Sequence, residues 1–429
     1  MRAAFSFCAL AREISDVNIE IVTIGDELLL GFTVDTNAAV IARALSEIGV
    51  AIVRRTTVGD VEADIVRAVE DALSRADGVL TTGGLGPTSD DRSRPAVARV
   101  FGRAMVLHEP TLAAVRERWK RRGWKGEMPE TNRDQAMVPE GATLLANNHG
   151  SAPGIWLDNA EGKWVAMLPG VPREMRGMLN DELIPRLRAR VGNATVVASR
   201  TVRTTGVPES RIADLVQSVQ LPDGVDLAYL PNWEGVDLRV TVRDVPPDVA
   251  QARIAAAARA LSAPLSDCVY GENGADLASV VLDALRARAW TVAVAESCTG
   301  GMLGARLTAI AGSSDVVRGG VIAYDNGVKE SHLAVRAETL AAHGAVSEGV
   351  AREMAAGVRA ALKSSVGVAI TGVAGPSGGT AEKPVGTVCI AVATPDGAVA
   401  ATNRHVGDRD EVRKRSTQAA LMLLRAELV

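Results

Sequence analysis

The sequence predicts an α/β protein in which two α/β domains, the first with a parallel, doubly wound sheet, flank a smaller α+β unit. Three observations support this prediction: strands alternate with helical stretches near both ends of the chain, Gly-rich turns follow several strands, and the pattern changes after about residue 190. Hydrophobic residues make up 47% of the 429 residues, which suits several buried cores. At roughly 150 residues per domain, the length indicates about three domains.

The first predicted domain, residues 17–190, alternates strands and helices, which predicts a parallel sheet. Its predicted elements are a strand over 18–25, a helix over 36–49, a strand over 51–58, a helix over 62–76, and strands over 78–82 and 164–168. Residues 1–16 hold an apolar patch that is too short for a signal peptide, so we predict a disordered extension there.

The pattern then changes to a compact α+β unit, residues 191–272, without Gly-rich chemistry. Its predicted elements are strands over 196–205 and 236–242, a helix from Glu209, and an Ala-rich helix over 247–262. Asn273 and Gly274 mark a boundary. The last predicted domain, residues 273–429, is again α/β, with a helix over 277–289 and strands over 291–295, 319–324, 366–371 and 386–393.

Composition argues against several classes of function. A net charge of −4 and only 3% aromatic residues disfavour nucleic-acid binding. No apolar run approaches the roughly 18 to 20 residues that a membrane span needs, so no membrane association is expected. The four cysteines form no Cys-x-x-Cys pair, which indicates a reduced, cytoplasmic protein without a zinc site: Cys8, Cys268, Cys298 and Cys389.

A candidate nucleophile follows the first strand of the C-terminal domain. The strand runs directly into Glu296-Ser297-Cys298-Thr299-Gly300-Gly301, and a helical segment follows. A hydroxyl at a strand-to-helix turn lies where backbone N–H groups can hold an oxyanion. The alternative is that Ser297 or Thr299 only caps the helix.

Two further polar segments follow strands at the edge where ligands bind in open α/β sheets. Tyr324, Asn326 and Lys329 come after one strand, and a Gly-rich loop over 372–379 comes after another. Lys383-Pro384-Val385-Gly386 then leads back into a strand. With no histidine next to the motif, a Ser–Lys pair with a desolvated, neutral lysine is the natural base–nucleophile arrangement. The alternative for Lys329 is a solvated surface lysine.

The N-terminal domain carries a second Gly-rich turn beside carboxylates. Residues 81–88 follow a buried strand, Asp90 and Asp91 come next, and Glu27, Asp35 and Asn37 follow the first strand. Carboxylates at two strand ends beside a phosphate loop suit a divalent metal and a diphosphate. The alternative is that Asp35 and one of the later pair only cap helices.

These motifs resemble the CinA family along nearly the whole chain. The C-terminal matches are Glu296–Gly301, Ala323–Asn326 with Lys329, Thr371–Pro376 and Lys383–Gly386. The N-terminal matches are Gly25–Gly31 with Asp35–Asn37, Thr56–Asp60, Thr82–Thr88, Asn132–Ala136 and Leu168–Met175. The resemblance implies two α/β sandwich domains, one of MoaB/MogA type and one of CinA C-terminal type, joined by a small KH-like α+β domain.

For the C-terminal domain, the resemblance implies a nicotinamide mononucleotide amidase that needs no cofactor. Ser297 would be the nucleophile, Lys329 the base, and Tyr324 and Thr371 orienting or proton-relaying hydroxyls. Adjacent Cys298 is interpreted as a packing residue. The implied substrate-binding residues are Glu296, Thr299, Gly300, Gly301, Asn326, Gly372, Ala374, Gly375, Gly378, Gly379, Arg409 and Arg413.

For the N-terminal domain, the resemblance implies a metal-dependent ADP-ribose pyrophosphatase. Asp35, Asp90 and Asp91 would hold a divalent metal, and the nucleotide site would comprise Gly83, Gly84, Gly86, Thr88, Glu27 and Asn37. Arg92 and Ser93 depart from the family's apolar residue and threonine, which puts the geometry there in doubt. A homodimer is also implied. The alternatives are a non-catalytic nucleotide- or pterin-binding N-terminal domain, or a non-catalytic adaptor in competence or damage response.

Overall fold

The computed structural model describes residues 17–121, 123, 124, 126–191 and 195–428. The predicted disordered extension, residues 1–16, lies outside them. The chain forms two compact units: one reaches Ala198 and includes Val242–Ala252, and the other comprises Ser199–Thr241 and Arg253–Val429. None of the described helices combines the length and apolar character that a membrane span requires.

The first unit contains a six-stranded sheet with helices on both faces. Its strands are β1 Asn18–Ile24, β2 Ala51–Val58, β3 Gly78–Thr82, β4 Met105–Leu107, β5 Met137–Pro139, β6 Thr143–Leu145, β7 Gly154–Asp158 and β8 Trp164–Leu168. Its helices are α1 Asp26–Leu29, α2 Thr36–Ser46, α3 Glu62–Arg75, α4 Ser93–Val100, α5 Glu109–Arg121, α6 Pro172–Met178 and α7 Ile184–Val191, with a 3₁₀ segment Glu130–Ala136 and a π segment Leu179–Leu183.

The strand order is β2-β1-β3-β8-β7-β6, and β4 and β5 form a separate two-stranded antiparallel sheet. The strands β2, β1, β3 and β8 are parallel, whereas β7 and β6 are antiparallel. The prediction of a wholly parallel sheet is therefore wrong at this edge. Only the short turn around Asn159–Gly162 joins β7 to β8, and parallel neighbours need a crossover of a dozen or more residues. Apolar side chains fill both faces of the sheet.

A four-stranded sheet in the order β10-β11-β9-β12 forms the predicted α+β unit. Its elements are β9 Val196–Thr204, α8 Glu209–Val216, β10 Val225–Pro231, β11 Val236–Val245, α9 Pro247–Ser262, a 3₁₀ segment Ala263–Leu265 and β12 Val269–Glu272. The predicted Ala-rich helix over 247–262 is confirmed.

The C-terminal domain is a second α/β layer structure. Its strands are β13 Val292–Glu296, β14 Val317–Ile322, β15 Val366–Gly372, β16 Thr387–Thr394 and β17 Gly397–Arg404. Its helices are α10 Leu277–Ala287, α11 Met302–Thr308, α12 Asn326–Leu333, α13 Ala337–His343, α14 Glu348–Ala361 and α15 Arg409–Ala426, with a 3₁₀ segment Ser313–Asp315.

The strand order in this domain is β14-β13-β15-β16-β17, with three parallel strands and two antiparallel ones at the edge. The final hairpin, β16 and β17, is antiparallel, because the two-residue turn between these strands leaves no room for a crossover. The carboxyl ends of β13, β14 and β15 and the start of β16 meet at one edge, as predicted. Two apolar clusters cover the two faces of the sheet.

Gly357 on α14 allows the end of α12 to approach closely. A Cβ added at Gly357 would lie 1.8 Å from the carbonyl oxygen of Leu333, whereas one added at Gly349 on the same helix would lie no closer than 3.5 Å to Thr339 Cγ2. The carbonyl oxygen of Leu333 is a backbone atom, so it cannot move aside as the end of a flexible side chain can. The packing of α12 on α14 therefore requires glycine at position 357.

We predict that Gly357→Ala lowers the free energy of unfolding by about 1 to 3 kcal/mol, because the new methyl group forces α12 and α14 apart. The matched change Gly349→Ala leaves it unchanged or raises it by up to about 1 kcal/mol. Scanning calorimetry of the full chain measures both. Equal transition temperatures for the two variants would contradict this account of the packing.

Candidate active sites

The backbone of Ser297 is fixed by the neighbouring strand. It follows the last residue of β13, and its N–H donates to the carbonyl oxygen of Ile370 on β15 at 2.9 Å. Gly300 N–H donates back to the Ser297 carbonyl at 3.1 Å, which closes the turn. Gly300 and Gly301 have φ values of 60° and 96°, which favour glycine. The side chain of Ser297 therefore points from a rigid turn rather than from a mobile loop.

Glu296, predicted to contact substrate, makes structural contacts with the backbone of the turn. The residue is 1% exposed, and its carboxylate accepts hydrogen bonds from Gly301 N (3.0 Å), Leu303 N (3.0 Å) and Gly304 N (2.8 Å). A carboxylate is stabilised by such N–H groups at a helix start. Glu296 thus holds the turn against α11 and does not line the cavity beside Ser297.

The rest of the turn also supports the site from outside the cavity. Arg413 Nη2 donates to the carbonyl oxygen of Thr299 at 2.8 Å, and Thr299 is fully buried. Neither residue lines the cavity, nor do Gly300 and Gly301, so the structure shows bracing contacts for this turn, and contact of these residues with substrate stays a prediction. They shape the turn that presents the serine.

Lys329 is buried, so the alternative of a solvated surface lysine is wrong. It lies on α12 and is 1% exposed, and its Nζ donates to the carbonyl oxygens of Ala323 (2.9 Å) and Tyr324 (3.3 Å). Burial lowers the pKa of Lys329 below the ordinary lysine value, and the nearby charge of Asp325 opposes this shift. A neutral amine has two hydrogens for the two carbonyls and keeps one lone pair. The geometry therefore suits a base.

Ser297 and Lys329 line one cavity of about 280 Å³ at the carboxyl edge of the sheet. The predicted residues Tyr324, Asn326 and Thr371 line it as well. Within the described part of the chain, the Ser297 hydroxyl has no hydrogen-bond partner within 3.5 Å, so the serine and the amine share the cavity without a direct bond. Catalytic hydrogen bonds often tighten only when substrate binds.

Arg409 joins two walls of this cavity. Its Nη1 donates to the carbonyl oxygen of Gly375 at 2.6 Å, and its Nη2 donates to Tyr324 Oη at 3.1 Å. The residue is the first of α15, which a capping box between Asp408 and Glu411 fixes. Tyr324 is 63% exposed, so its ring stands at the cavity mouth with its hydroxyl held by the guanidinium.

Thr371 presents a more limited chemistry than predicted. It is 1% exposed, and its hydroxyl donates to the carbonyl oxygen of Ala345 at 2.8 Å. The proton of this hydroxyl is thus committed to the backbone, although its lone pairs remain free to accept a hydrogen bond. Orientation of a neighbouring group fits this arrangement better than relay of a proton.

The Gly-rich loop contributes backbone N–H groups to the same cavity. Its lining residues are Gly372, Val373, Ala374, Gly375, Ser377 and Gly378, whereas Gly379 lies outside the lining. Among the described residues, the N–H groups of Ala374, Gly375, Ser377 and Gly378 have no hydrogen-bond acceptor. Successive free N–H groups suit an anionic oxygen.

Cys298 also lines the cavity, next to the serine. Burial raises the pKa of its thiol to about 11, so the thiol is protonated at neutral pH and is a poor nucleophile. This supports the interpretation of Cys298 as a packing residue. Sequence reasoning missed the wall formed by Ala345 and Val346, because these two residues carry no polar signal.

The N-terminal domain has its own cavity of about 460 Å³ at the carboxyl ends of β1 and β3. The predicted residues that line it are Gly83, Gly84, Gly86, Glu27, Asn37, Asp35, Asp90 and Asp91. The amide nitrogen of Asn37 donates to Thr82 Oγ1 (3.2 Å) and to the carbonyl oxygen of Gly170 (2.7 Å). Its carbonyl oxygen is buried and has no partner in the described part of the chain.

Asp91 holds the Gly-rich turn in shape. Its carboxylate accepts hydrogen bonds from Gly86 N (2.6 Å), Thr88 N (2.8 Å) and Thr88 Oγ1 (2.6 Å). Thr88, predicted in the nucleotide site, does not line the cavity and is a hydrogen-bond partner of Asp91. Ser93, which departs from the family pattern, donates its hydroxyl to the carbonyl oxygen of Gly83 at 2.8 Å. Ser93 therefore supplies a hydroxyl that holds the Gly-rich turn.

The predicted metal ligands share the cavity without forming a cluster. Asp35 caps α2 by accepting a hydrogen bond from Ala38 N at 2.9 Å, as the capping alternative states. Asp90 is exposed, and its polar surroundings, Thr88 first among them, lower the pKa of its carboxyl. Over the residues that the structure describes, no three His, Cys, Asp or Glu side chains are grouped to hold a metal ion.

Asp60 is an acidic lining residue that the predicted site set omitted. Burial raises the pKa of its carboxyl, and the charges of Asp26, Glu27 and Asp90 raise it further. The carboxylate also accepts a hydrogen bond from the backbone N–H of Asp26 at 2.9 Å, which opposes the shift. The available signal was its position two residues after β2, at the same sheet edge. The cavity is therefore more acidic than the predicted residues alone indicate.

Comparisons with known proteins agree with this architecture. Three family descriptions match in order: probable molybdopterin binding domain over residues 20–189, damage-inducible protein CinA KH domain over 199–271, and CinA C-terminal domain over 274–428. A CinA-like protein from Gemmatimonas aurantiaca is 54% identical over 411 residues, covering 95% of this chain and 96% of that protein. One from Anaeromyxobacter sp. is 43% identical and covers 96% of this chain and 99% of that protein.

A solved structure is similar to about a third of the chain. The competence/damage inducible protein CihA from Agrobacterium tumefaciens is 41% identical, spans 35% of this chain and 92% of its own, and gives a TM-score of 0.34. The matched descriptions follow the order of the domains seen in the fold. The chain belongs to the CinA family, with a MoaB-like domain, a KH-like domain and a CinA C-terminal domain in that order.

Proposed function

We propose that the C-terminal domain hydrolyses the carboxamide of nicotinamide mononucleotide to nicotinate mononucleotide and ammonia. The observation that supports this most is a buried amine, Lys329, with a lowered pKa in the same small cavity as Ser297. A serine hydroxyl needs a base to attack an amide carbonyl, and a desolvated lysine supplies one where histidine is absent.

The proposed reaction proceeds through an acyl-enzyme. Lys329 Nζ takes the hydroxyl proton as Ser297 Oγ bonds to the carboxamide carbon. The resulting ammonium returns that proton to the departing nitrogen as the C–N bond breaks, which releases ammonia. Water then attacks the ester carbon and gives a proton to Lys329. As the ester C–O bond breaks, Lys329 returns this proton to Ser297 Oγ, which frees the acid and regenerates the serine.

Charge stabilisation would come from the Gly-rich loop. The N–H of Ser297 itself is used by Ile370, so it cannot hold an oxyanion. The free N–H groups over residues 374–378 remain for the developing oxyanion or the substrate phosphate. The exposed ring of Tyr324 at the cavity mouth offers a face to a pyridinium cation.

The N-terminal domain supports a second proposal, metal-dependent cleavage of ADP-ribose to AMP and ribose phosphate. Its cavity combines a Gly-rich turn with the acidic residues Glu27, Asp60 and Asp90. The described residues alone do not assemble a three-ligand metal site. Mg²⁺ is commonly held by one or two carboxylates and the phosphates of the substrate, so Asp90 and Asp60 are the carboxylates we assign to it.

We predict that Ser297→Ala and Lys329→Met each reduce ammonia release from nicotinamide mononucleotide by about 10³-fold or more, because nucleophile and base act as a unit. Cys298→Ala is the matched control in the same cavity and keeps activity within a few-fold. Ammonia is measured in a coupled assay. An active Ser297→Ala variant, or an inactive Cys298→Ala variant, would assign the nucleophile differently.

We predict that kcat/KM rises with pH and levels off well below the ordinary lysine pKa of about 10.4, because only neutral Lys329 accepts the proton. Asp325→Asn keeps a side-chain oxygen for the helix cap but removes a charge that raises the pKa of Lys329. The acid limb of the profile should therefore move to lower pH in this variant. A limb that stays in place or moves upward would argue against Lys329 as the titrating base.

We predict that the protein releases AMP from ADP-ribose when Mg²⁺ or Mn²⁺ is added, and that Asp90→Asn lowers this rate about tenfold or more by removing a metal-facing carboxylate. Glu70→Gln, which changes an exposed acid on α3, is the control. AMP is quantified by chromatography. Absence of AMP with either metal would favour an N-terminal domain that binds nucleotide or pterin without turnover, or an adaptor role.

A further inference from the structure

A third cavity, of about 640 Å³, lies in the C-terminal unit and contains none of the proposed catalytic residues. Loops 205–208 and 232–235 of the KH-like domain form one wall, and the end of β17 with the outer face of α15 forms the other. Both walls belong to the same compact unit. The volume falls in the range of about 300 to 1,000 Å³ that small-molecule sites occupy.

We propose that this cavity, termed the α15 cavity, binds a small phosphate monoester that carries a planar organic group. The proposal does not depend on the amidase or pyrophosphatase assignments. It rests on the charge of the wall, on two buried nitrogen atoms without a partner, and on an aromatic and apolar surface beside them.

The wall of the α15 cavity has an excess of positive charge. Two arginines, Arg404 and Arg415, line it, and Glu234 is the one acidic lining residue. The carboxylate of Glu234 is already paired, since it accepts from Arg306 Nη2 at 2.8 Å and from Arg203 Nη2. The guanidinium of Arg415 has no carboxylate partner among the described residues, so an anion would supply the missing charge.

Two nitrogen atoms in this wall are buried without a partner. The Nε of Arg415 and the Nε2 of His405 have no hydrogen-bond partner in the described part of the chain. His405 and Arg415 line the same cavity; burial lowers the pKa of His405, and the charge of Arg415 lowers it further. An unpaired buried donor is unfavourable. A phosphate oxygen between the guanidinium and the imidazole would satisfy both groups.

The remaining surface of the α15 cavity suits an organic group. Trp233, Ala419, Met422 and Leu423 line it, and the guanidinium of Arg306 covers the Trp233 ring at 5.1 Å from its centroid. Gln418 fixes the junction of the two walls, since its Nε2 donates to Thr205 Oγ1 at 3.1 Å. A planar group can therefore stack on a Trp233 ring that is already held in place.

The experiment follows the imidazole signal of His405 by NMR in the full-length protein, assigned with His405→Gln, while AMP or inorganic phosphate is added. This local readout separates the α15 cavity from the two catalytic cavities. We expect AMP to shift the signal and saturate it, and phosphate to shift the same signal with weaker affinity. Arg415→Gln should weaken AMP binding about tenfold or more, whereas Lys414→Ala, on an adjacent exposed position, should leave it within about twofold.

A second variant tests the organic subsite independently of the arginine. Trp233→Leu should weaken AMP binding several-fold and leave the affinity for inorganic phosphate unchanged. This variant tests the proposal even if Arg415→Gln does not fold. The proposal is overturned if neither AMP nor phosphate moves the His405 signal at millimolar concentration. It is equally overturned if the shifts do not saturate, or if they are the same in wild type, Arg415→Gln and Trp233→Leu.

Discussion

The burial of one amine is the constraint on which the C-terminal site depends. Lys329 is held by two carbonyl oxygens inside the domain, where its charged form is disfavoured. Because the folded state has the lower lysine pKa, it binds fewer protons than the unfolded chain between that pKa and about 10.4. This burial therefore costs stability at low pH, and the cost is relieved as pH rises through that window. Packing around α12, including the approach at Gly357, has to offset it.

The same domain fixes the turn that carries Ser297 with polar groups that lie outside the cavity lining. Glu296 and Arg413 hold the turn from behind, and Ile370 fixes the backbone of Ser297. The N-terminal domain has a parallel arrangement, in which Asp91 and Ser93 hold the Gly-rich turn from within. In both domains, some motif residues line the cavity, and others hold the turn that positions them.

Much of this could be predicted from the sequence, because strand patterns and Gly-rich turns are local signals. Ser297, Lys329 and the Gly-rich loop come together because parallel strands share one edge. The motif could not show which way a side chain turns. Glu296 and Thr88 point into the turn rather than the cavity, since backbone N–H groups or a carboxylate there satisfy them. The antiparallel edges were missed because they depend on turn length rather than on strand composition.

Helix α15 has a different partner on each of its faces. Arg409 reaches one cavity, Arg413 braces the nucleophile turn, Arg415 lines another cavity, and Leu421 lies in the apolar core. A helix with fixed partners around its circumference can neither rotate nor slide without breaking several contacts at once. Tolerance to natural variation along α15 should therefore be confined to its solvent-facing positions, and an insertion or deletion within the helix would disturb two ligand-sized spaces together.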